Sequence, residues 1–330
     1  MTVDPQVAQV WAALIANGFR GFSAGSPEDA RAAYRCIATS RESTAGSPQP
    51  VDIRDIVIRG IPARIYRPES AAVGVVAYFH GGGYVVGDLD THDLSARLLC
   101  VEVGAVVISV DYRRAPEHRY PAASDDAATA VEWIIANVAR LGAETPSVAV
   151  AGDSAGGNLA AVVAQRGVAE GWGLAAQALM YPNVDFSARD GSMREHATAP
   201  FLTRRDIEWF FAHYTGVAID DAAAAPLLCD PGLNPLTAQS LSHLCPAVIA
   251  TADCDPLRDQ GAAYARALAL AGTPTVYRNF PGLAHGFYPL QTVSRARDAT
   301  AWFNGELRRL LLIDCEASGG TTQAPPATPS

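Results

Sequence analysis

From about residue 51 onward the hydrophobic pattern keeps changing its period. Short unbroken apolar runs alternate with longer stretches in which apolar residues recur every three or four positions. Residues 51–59 and 63–67 read as two short strands, joined near Gly60-Ile61-Pro62. Residues 73–79, 106–110, 148–151, 175–181, 248–252 and 275–280 read as six more. Helical spacing fills the gaps over 90–103, 125–141, 155–166, 259–271 and 295–312. In the first of these, Leu94, Leu98, Leu99 and Val103 share one face; the second stops at Gly142. Eight strands separated by helices predict an α/β architecture, a mostly parallel sheet flanked by helices.

The rhythm is interrupted twice. Residues 1–45 are helical and precede the sheet. Residues 186–242 carry two helix-like pieces, and Thr203 with Asp206 is spaced as a capping box. Together these segments are expected to form a helical cap over the carboxyl ends of the strands, where open α/β sheets bind ligands. The core then comprises residues 46–185 and 243–315. Residues 316–330, rich in Pro, Thr, Gly and Ala, are expected to form a disordered tail.

Composition narrows the chemistry. The 330 residues are 49% hydrophobic and 18% charged, with a net charge of -9 and no basic cluster, so nucleic acid is not an expected partner. All 25 basic residues are arginine. Without lysine there is no Schiff base, no P-loop lysine and no Ser-Lys dyad. The six cysteines are scattered without metal-ligand spacing, and most are expected to be reduced and buried. No cofactor or metal is expected. The first 20 residues lack a basic region before their apolar stretch, and no uncharged apolar run reaches about 18 residues. No signal peptide or transmembrane segment is therefore expected, and the location follows as cytoplasmic.

Three segments carry chemistry. Gly152-Asp153-Ser154-Ala155-Gly156 stands between an apolar strand and an Ala-rich helix. That context makes Ser154 a candidate nucleophile on a tight strand-to-helix turn, with Gly152 and Gly156 leaving room for close chain passage. The run His80-Gly81-Gly82-Gly83 follows the third strand. Such glycines let backbone amides approach a reacting group, so Gly81, Gly82 and the amide of Ala155 are candidate oxyanion donors. His80 is expected to brace this loop. A general base must then follow Ser154. His196 and His213 fall in the expected cap and His243 precedes a strand, which leaves His285, in a turn-rich segment after the last strand. The acid should leave the preceding strand. Position alone does not choose among Asp253, Asp255 and Asp259.

Read together, these pieces resemble the hormone-sensitive-lipase-like, or family IV, esterases of the α/β-hydrolase superfamily. The resemblance rests on His80-Gly81-Gly82-Gly83 with Gly87-Asp88, Asp111-Tyr112-Arg113 with Ala115-Pro116-Glu117-His118, Gly152-Asp153-Ser154-Ala155-Gly156-Gly157, Asp255-Pro256-Leu257-Arg258-Asp259 and His285-Gly286-Phe287. Met193-Arg194-Glu195 and Pro200-Phe201-Leu202-Thr203 are similar to the family's cap. The resemblance implies the α/β-hydrolase fold and selects Asp255 as the acid, beside Ser154 as nucleophile and His285 as base. It implies a cofactor-free hydrolase of short- to medium-chain acyl esters, and family members often form homodimers. Arg114 departs from the pattern, standing where such sequences carry an apolar residue, as does Ala225 before Pro226-Leu227. An amidase, lactonase or arylacetamide-type deacetylase would carry the same triad. A non-catalytic binding protein on this fold would usually lack a triad member, and a dinucleotide-binding oxidoreductase would need a G-x-G-x-x-G absent here.

For the acyl pocket, the aromatic residues Phe201, Trp209, Phe210, Phe211 and Tyr214 of the expected cap are candidates, with Trp11 and Phe19 from the N-terminal helices.

Overall fold

A hairpin opens the sheet. Strands β1 (Asp52–Ile58) and β2 (Ile61–Arg67) pair antiparallel, ending on Ile58 opposite Ile61. The connecting turn is therefore Arg59-Gly60 alone, and both residues take positive φ (48° and 92°), as the tight turns that match strand twist require. Ile61 and Pro62, expected in the turn, already belong to β2. The protein is seen here in a computed structural model that describes residues 2–45, 48 and 52–319.

Six further strands complete the sheet: β3 (Val75–Phe79), β4 (Val106–Val110), β5 (Val148–Asp153), β6 (Ala176–Met180), β7 (Ala247–Cys254) and β8 (Thr275–Ala284). Their order is β1-β2-β4-β3-β5-β6-β7-β8, antiparallel on either side of β2 and parallel from β4 to β8. Every residue of β3, β4, β5 and β6 is buried, which is why these strands read as unbroken apolar runs. Each buried Val, Leu or Ile there contributes about 1.5–3 kcal/mol relative to exposure.

Helices cover both faces. α3 (Asp93–Val103) and α10 (Ser294–Gly319) enclose one core; α4 (Ala122–Asn137), α5 (Ala155–Glu170) and α9 (Arg258–Leu270) enclose the other. α4 begins three residues before its expected start, and its α-helical part ends at Asn137. A 3-10 turn (Val138–Arg140) follows, and Gly142 (φ 86°) bends the chain beyond it instead of capping the α-helix. α10 runs to Gly319, so residues 316–319 of the expected tail are helical. Residues 46, 47 and 49–51 lie outside the described residues, as does the rest of the tail, 320–330. Among the described cysteines, Cys100 and Cys254 are buried, but Cys36 and Cys229 are exposed, against expectation.

The two segments outside the β-α rhythm meet over the strand ends. Before the sheet stand α1 (Pro5–Ala16) and α2 (Pro27–Ala45); between β6 and β7 stand α6 (Ser192–Glu195), α7 (Arg204–Thr215) and α8 (Ala225–Leu228). The capping box at Thr203 and Asp206 forms as expected. Asp206 also accepts the Ser23 N–H at 2.8 Å, which ties the N-terminal segment to α7. α2 is held to the core by Arg31, paired with Glu117, and by Arg35, paired with Asp88 at 2.9 Å. α1 is tied near the other end of the chain: the Asp4 N–H donates to Gly282 O, and Gln6 Oε1 accepts the Ser294 N–H, each at 2.9 Å. Among the described residues, no helix is long and apolar enough to cross a membrane.

Candidate active site

Ser154 sits where β5 turns into α5. Its backbone is strained, with φ 55° and ψ −116°, a region a non-glycine residue adopts only when the surroundings enforce it. The enforcement is visible. The Ser154 N–H donates to Met180 O at 2.9 Å, and its C=O accepts from Asn158 (3.1 Å) and Asn183 (3.2 Å). Gly152 and Gly156 have the steric role the sequence suggests. A Cβ on Gly156 would overlap Phe79 O, and one on Gly152 would overlap Gly156 O, so α5 lies against the sheet with no room for side chains there.

β8 brings His285 to the same place. It runs four residues past its expected end at Phe280, through Pro281 and Gly282. Because β8 is the edge strand, proline's missing N–H breaks no inner ladder, and Gly282 (φ 74°) takes up the irregular pairing between Ala252 and Cys254. His285 follows Ala284 directly. Its Nε2 lies 2.9 Å from Ser154 Oγ and its Nδ1 2.8 Å from Asp255 Oδ2. Asp255 is fully buried, and its other oxygen accepts the Leu257 N–H at 2.8 Å.

The carboxylates that position could not separate have different surroundings. Asp253 lies beneath β8, near Gly282 N (3.4 Å) and Arg258 Nη1 (3.9 Å). Asp259 accepts the Ser192 N–H at 2.8 Å and pairs with Arg258. Only Asp255 meets His285. The other histidines stand apart: His196 contacts Arg258 and Glu195, His213 meets Trp209 edge-on, and His243 is exposed.

The glycine run corrects one expectation. The Gly81 N–H is not available as an oxyanion donor, because it donates to Asp153 Oδ1 at 2.9 Å. Gly82 and Gly83 line the cavity instead, together with Ser154 and Ala155. Among the described residues, nothing accepts from the N–H groups of Gly82, Gly83 or Ala155. Three glycines in a row signalled the loop; which amides face the cavity depends on peptide orientation, which sequence does not carry. His80 braces the loop as expected: its Nδ1 donates to Gly81 O at 2.8 Å, and its ring stacks on Tyr112. Burial, reinforced by neighbouring His92, keeps it well below the usual histidine range and hence neutral. Arg114, the departure from the family pattern, donates to Gly87 O and lies 3.8 Å from Asp88, so it supports the same loop.

Above these groups is a cavity with mostly apolar walls. Leu14, Phe19, Phe22 and Ile37 come from the N-terminal segment; Phe201, Leu202, Ile207 and Phe210 come from the insert. Phe19, Phe201 and Phe210 were expected linings. Phe211 and Tyr214 instead point into the core, Trp11 packs behind Phe19 and Phe201, and Trp209 packs on Phe210 and His213. Phe22, which packs against Phe210, and Phe186 were not anticipated.

Comparison with known proteins agrees with this picture. Residues 76–289 match the family described as having the alpha/beta hydrolase fold. Carboxylic ester hydrolase LipN of Mycobacterium tuberculosis is 45% identical over 271 residues, covering 79% of this chain and 70% of that protein. Ethyl acetate hydrolase of Pseudomonas putida is 38% identical over 245 residues, 72% of this chain and 74% of that protein. Among solved structures, the hyperthermophilic esterase of the archaeon Pyrobaculum calidifontis superposes with a TM-score of 0.86 at 35% identity, over 94% of this chain and 99% of that one. With the fold, the site geometry and these likenesses in agreement, the chain belongs to the α/β-hydrolase family, in its hormone-sensitive-lipase-like group of esterases.

Proposed function

We propose that the protein hydrolyses short- to medium-chain carboxylic esters through an acyl-enzyme on Ser154. The observation that carries this reading is the continuous relay from buried Asp255 through His285 to Ser154, at 2.8 and 2.9 Å. It ends beneath an apolar cavity whose nearby amides meet no other acceptor among the described residues.

In this mechanism His285 Nε2 takes the Ser154 proton as Oγ bonds to the ester carbonyl carbon. The N–H groups of Gly82, Gly83 and Ala155 receive the oxyanion, with Ala155 at the start of α5 adding the positive end of a helix dipole. The carbon–alkoxide bond breaks and His285 returns its proton to the departing alcohol. Water then attacks the acyl carbon and gives a proton to His285; the bond to Ser154 breaks, His285 returns that proton to Ser154 Oγ, and the acid leaves. Asp255 keeps the Nδ1 proton in place, so that Nε2 is the basic nitrogen, and it stabilises the imidazolium. The apolar walls from the N-terminal segment and the insert act as a cap that receives the acyl chain and excludes water.

A p-nitrophenyl ester series tests the reading, together with labelling by a fluorophosphonate. Ser154→Ala should lower turnover roughly 10⁴-fold or more and abolish labelling while the fold persists. Near-parental turnover in that variant would remove Ser154 from the chemistry. Amide and lactone substrates in the same panel separate esterase from amidase or lactonase preference.

A further inference from the structure

We propose that Asp153, the residue before the nucleophile, is the positioning residue of the oxyanion loop. Its carboxylate holds the loop in the one orientation that turns the Gly82 and Gly83 amides towards the cavity. The inference rests on the ester-hydrolase reading above and extends it to a side chain with no part in the Asp255-His285-Ser154 relay.

Asp153 Oδ1 accepts two hydrogen bonds, from the Tyr78 hydroxyl at 2.6 Å and from the Gly81 N–H at 2.9 Å. Both donors belong to the end of β3 and the loop that follows it; the acceptor belongs to the nucleophile turn. One buried carboxylate therefore joins the two pieces of backbone that must act on the same carbonyl group. Both bonds are charge-assisted, roughly twice as strong as neutral ones. Burial and the Asp153 charge hold the Tyr78 hydroxyl well above its ordinary range, so it stays protonated and remains a donor.

The remaining braces act on carbonyl groups. Tyr112 donates to His80 O at 2.6 Å, His80 Nδ1 donates to Gly81 O, and the amides of Val85 and Val86 donate to Gly82 O at 3.1 and 2.9 Å. Among the described residues, Asp153 is the group that takes an N–H of the glycine run. It thereby withdraws Gly81 from the cavity and, with Tyr112 on His80 O, fixes the His80–Gly81 peptide plane, from which His80 Nδ1 on Gly81 O sets the next plane, the one that carries the Gly82 N–H. The fit is close: a Cβ on Gly81 would collide with Asp153 Oδ2.

Preorganised donors matter where charge develops, so their loss falls on the transition state and not on substrate binding. Asp153→Asn should lower kcat roughly 10- to 100-fold with KM within about twofold. The inhibition constant of a trifluoromethyl ketone, which mimics the tetrahedral oxyanion, should rise by the same factor as kcat/KM falls. A merely structural role would not produce that proportionality. Tyr78→Phe removes one donor and keeps the carboxylate; it should shift kcat and the ketone constant together by a smaller factor, and it serves alone if the Asn variant does not fold. Unchanged kcat in these variants, or reduced kcat with unchanged ketone affinity, would overturn the proposal. Absence of turnover and of fluorophosphonate labelling in the parent protein would instead overturn the esterase reading.

Discussion

The ring of Phe210 occupies the space that a side chain on Gly83 would fill. A helix of the insert therefore rests directly on the oxyanion loop. One residue of α7 lines the cavity and also covers the backbone of Gly83, which in the proposed mechanism faces the reacting carbonyl. Phe210→Ala should remove about 3 kcal/mol of stability, as for other large-to-small changes at buried aromatics. It should also move the preferred p-nitrophenyl ester towards longer acyl chains. An unaltered chain-length profile would separate α7 from acyl selection.

Asp255→Asn probes the acid. An amide there can present an N–H to His285 Nδ1 and favour the wrong tautomer, leaving Nε2 protonated beside Ser154. Turnover should drop roughly 10⁴-fold with little change in thermal unfolding. Asp253→Asn should spare kcat to within about tenfold, because that carboxylate faces Gly282 and Arg258. Equal losses in the two variants would count against the assignment.

Gly156→Ala probes the nucleophile turn. Its new methyl would meet the Phe79 carbonyl oxygen, and neither α5 nor β3 can move without disturbing the sheet. Destabilisation of at least about 2 kcal/mol in urea unfolding is expected. A variant as stable as its parent would show that α5 shifts freely.

Asp88 links acid pH to the docking of α2. Burial alone would raise its carboxyl from 3.8, but the Thr91 amide, Arg35 and the Thr91 hydroxyl outweigh that effect and bring it down to about 2. The folded value lies below the unfolded one. The stabilisation is therefore complete above roughly pH 4 and is lost as pH falls towards 2. Urea midpoints between pH 5 and 2 should fall more steeply for the parent than for Asp88→Asn, and parallel curves would contradict the coupling.

Much of this was readable in the chain. Fully buried strands such as β3 and β4 write themselves as apolar runs, and Gly152 to Gly156 between strand and helix announces a nucleophile turn. Legibility failed where geometry depends on more than residue type. β8 looked shorter because Pro281 and Gly282 usually end strands; only its place at the sheet edge makes them tolerable. Gly81 drops out of the expected donors because Asp153, 72 residues away, claims its N–H. Asp255 was chosen by resemblance, since three nearby carboxylates look alike until β7 and β8 are paired. Cap aromatics spaced along α7 likewise cannot tell which face of a helix meets a cavity and which meets the core.

The ties from α1 to β8 and α10 bear on the order in which the cavity wall is assembled. Leu14 is part of the cavity wall, yet the helix that carries it is anchored through Asp4 and Gln6 to Gly282 and Ser294. A helix 288 positions away from its anchor can take its place in that wall only once β8 and the start of α10 are in position, so the cavity closes late in folding.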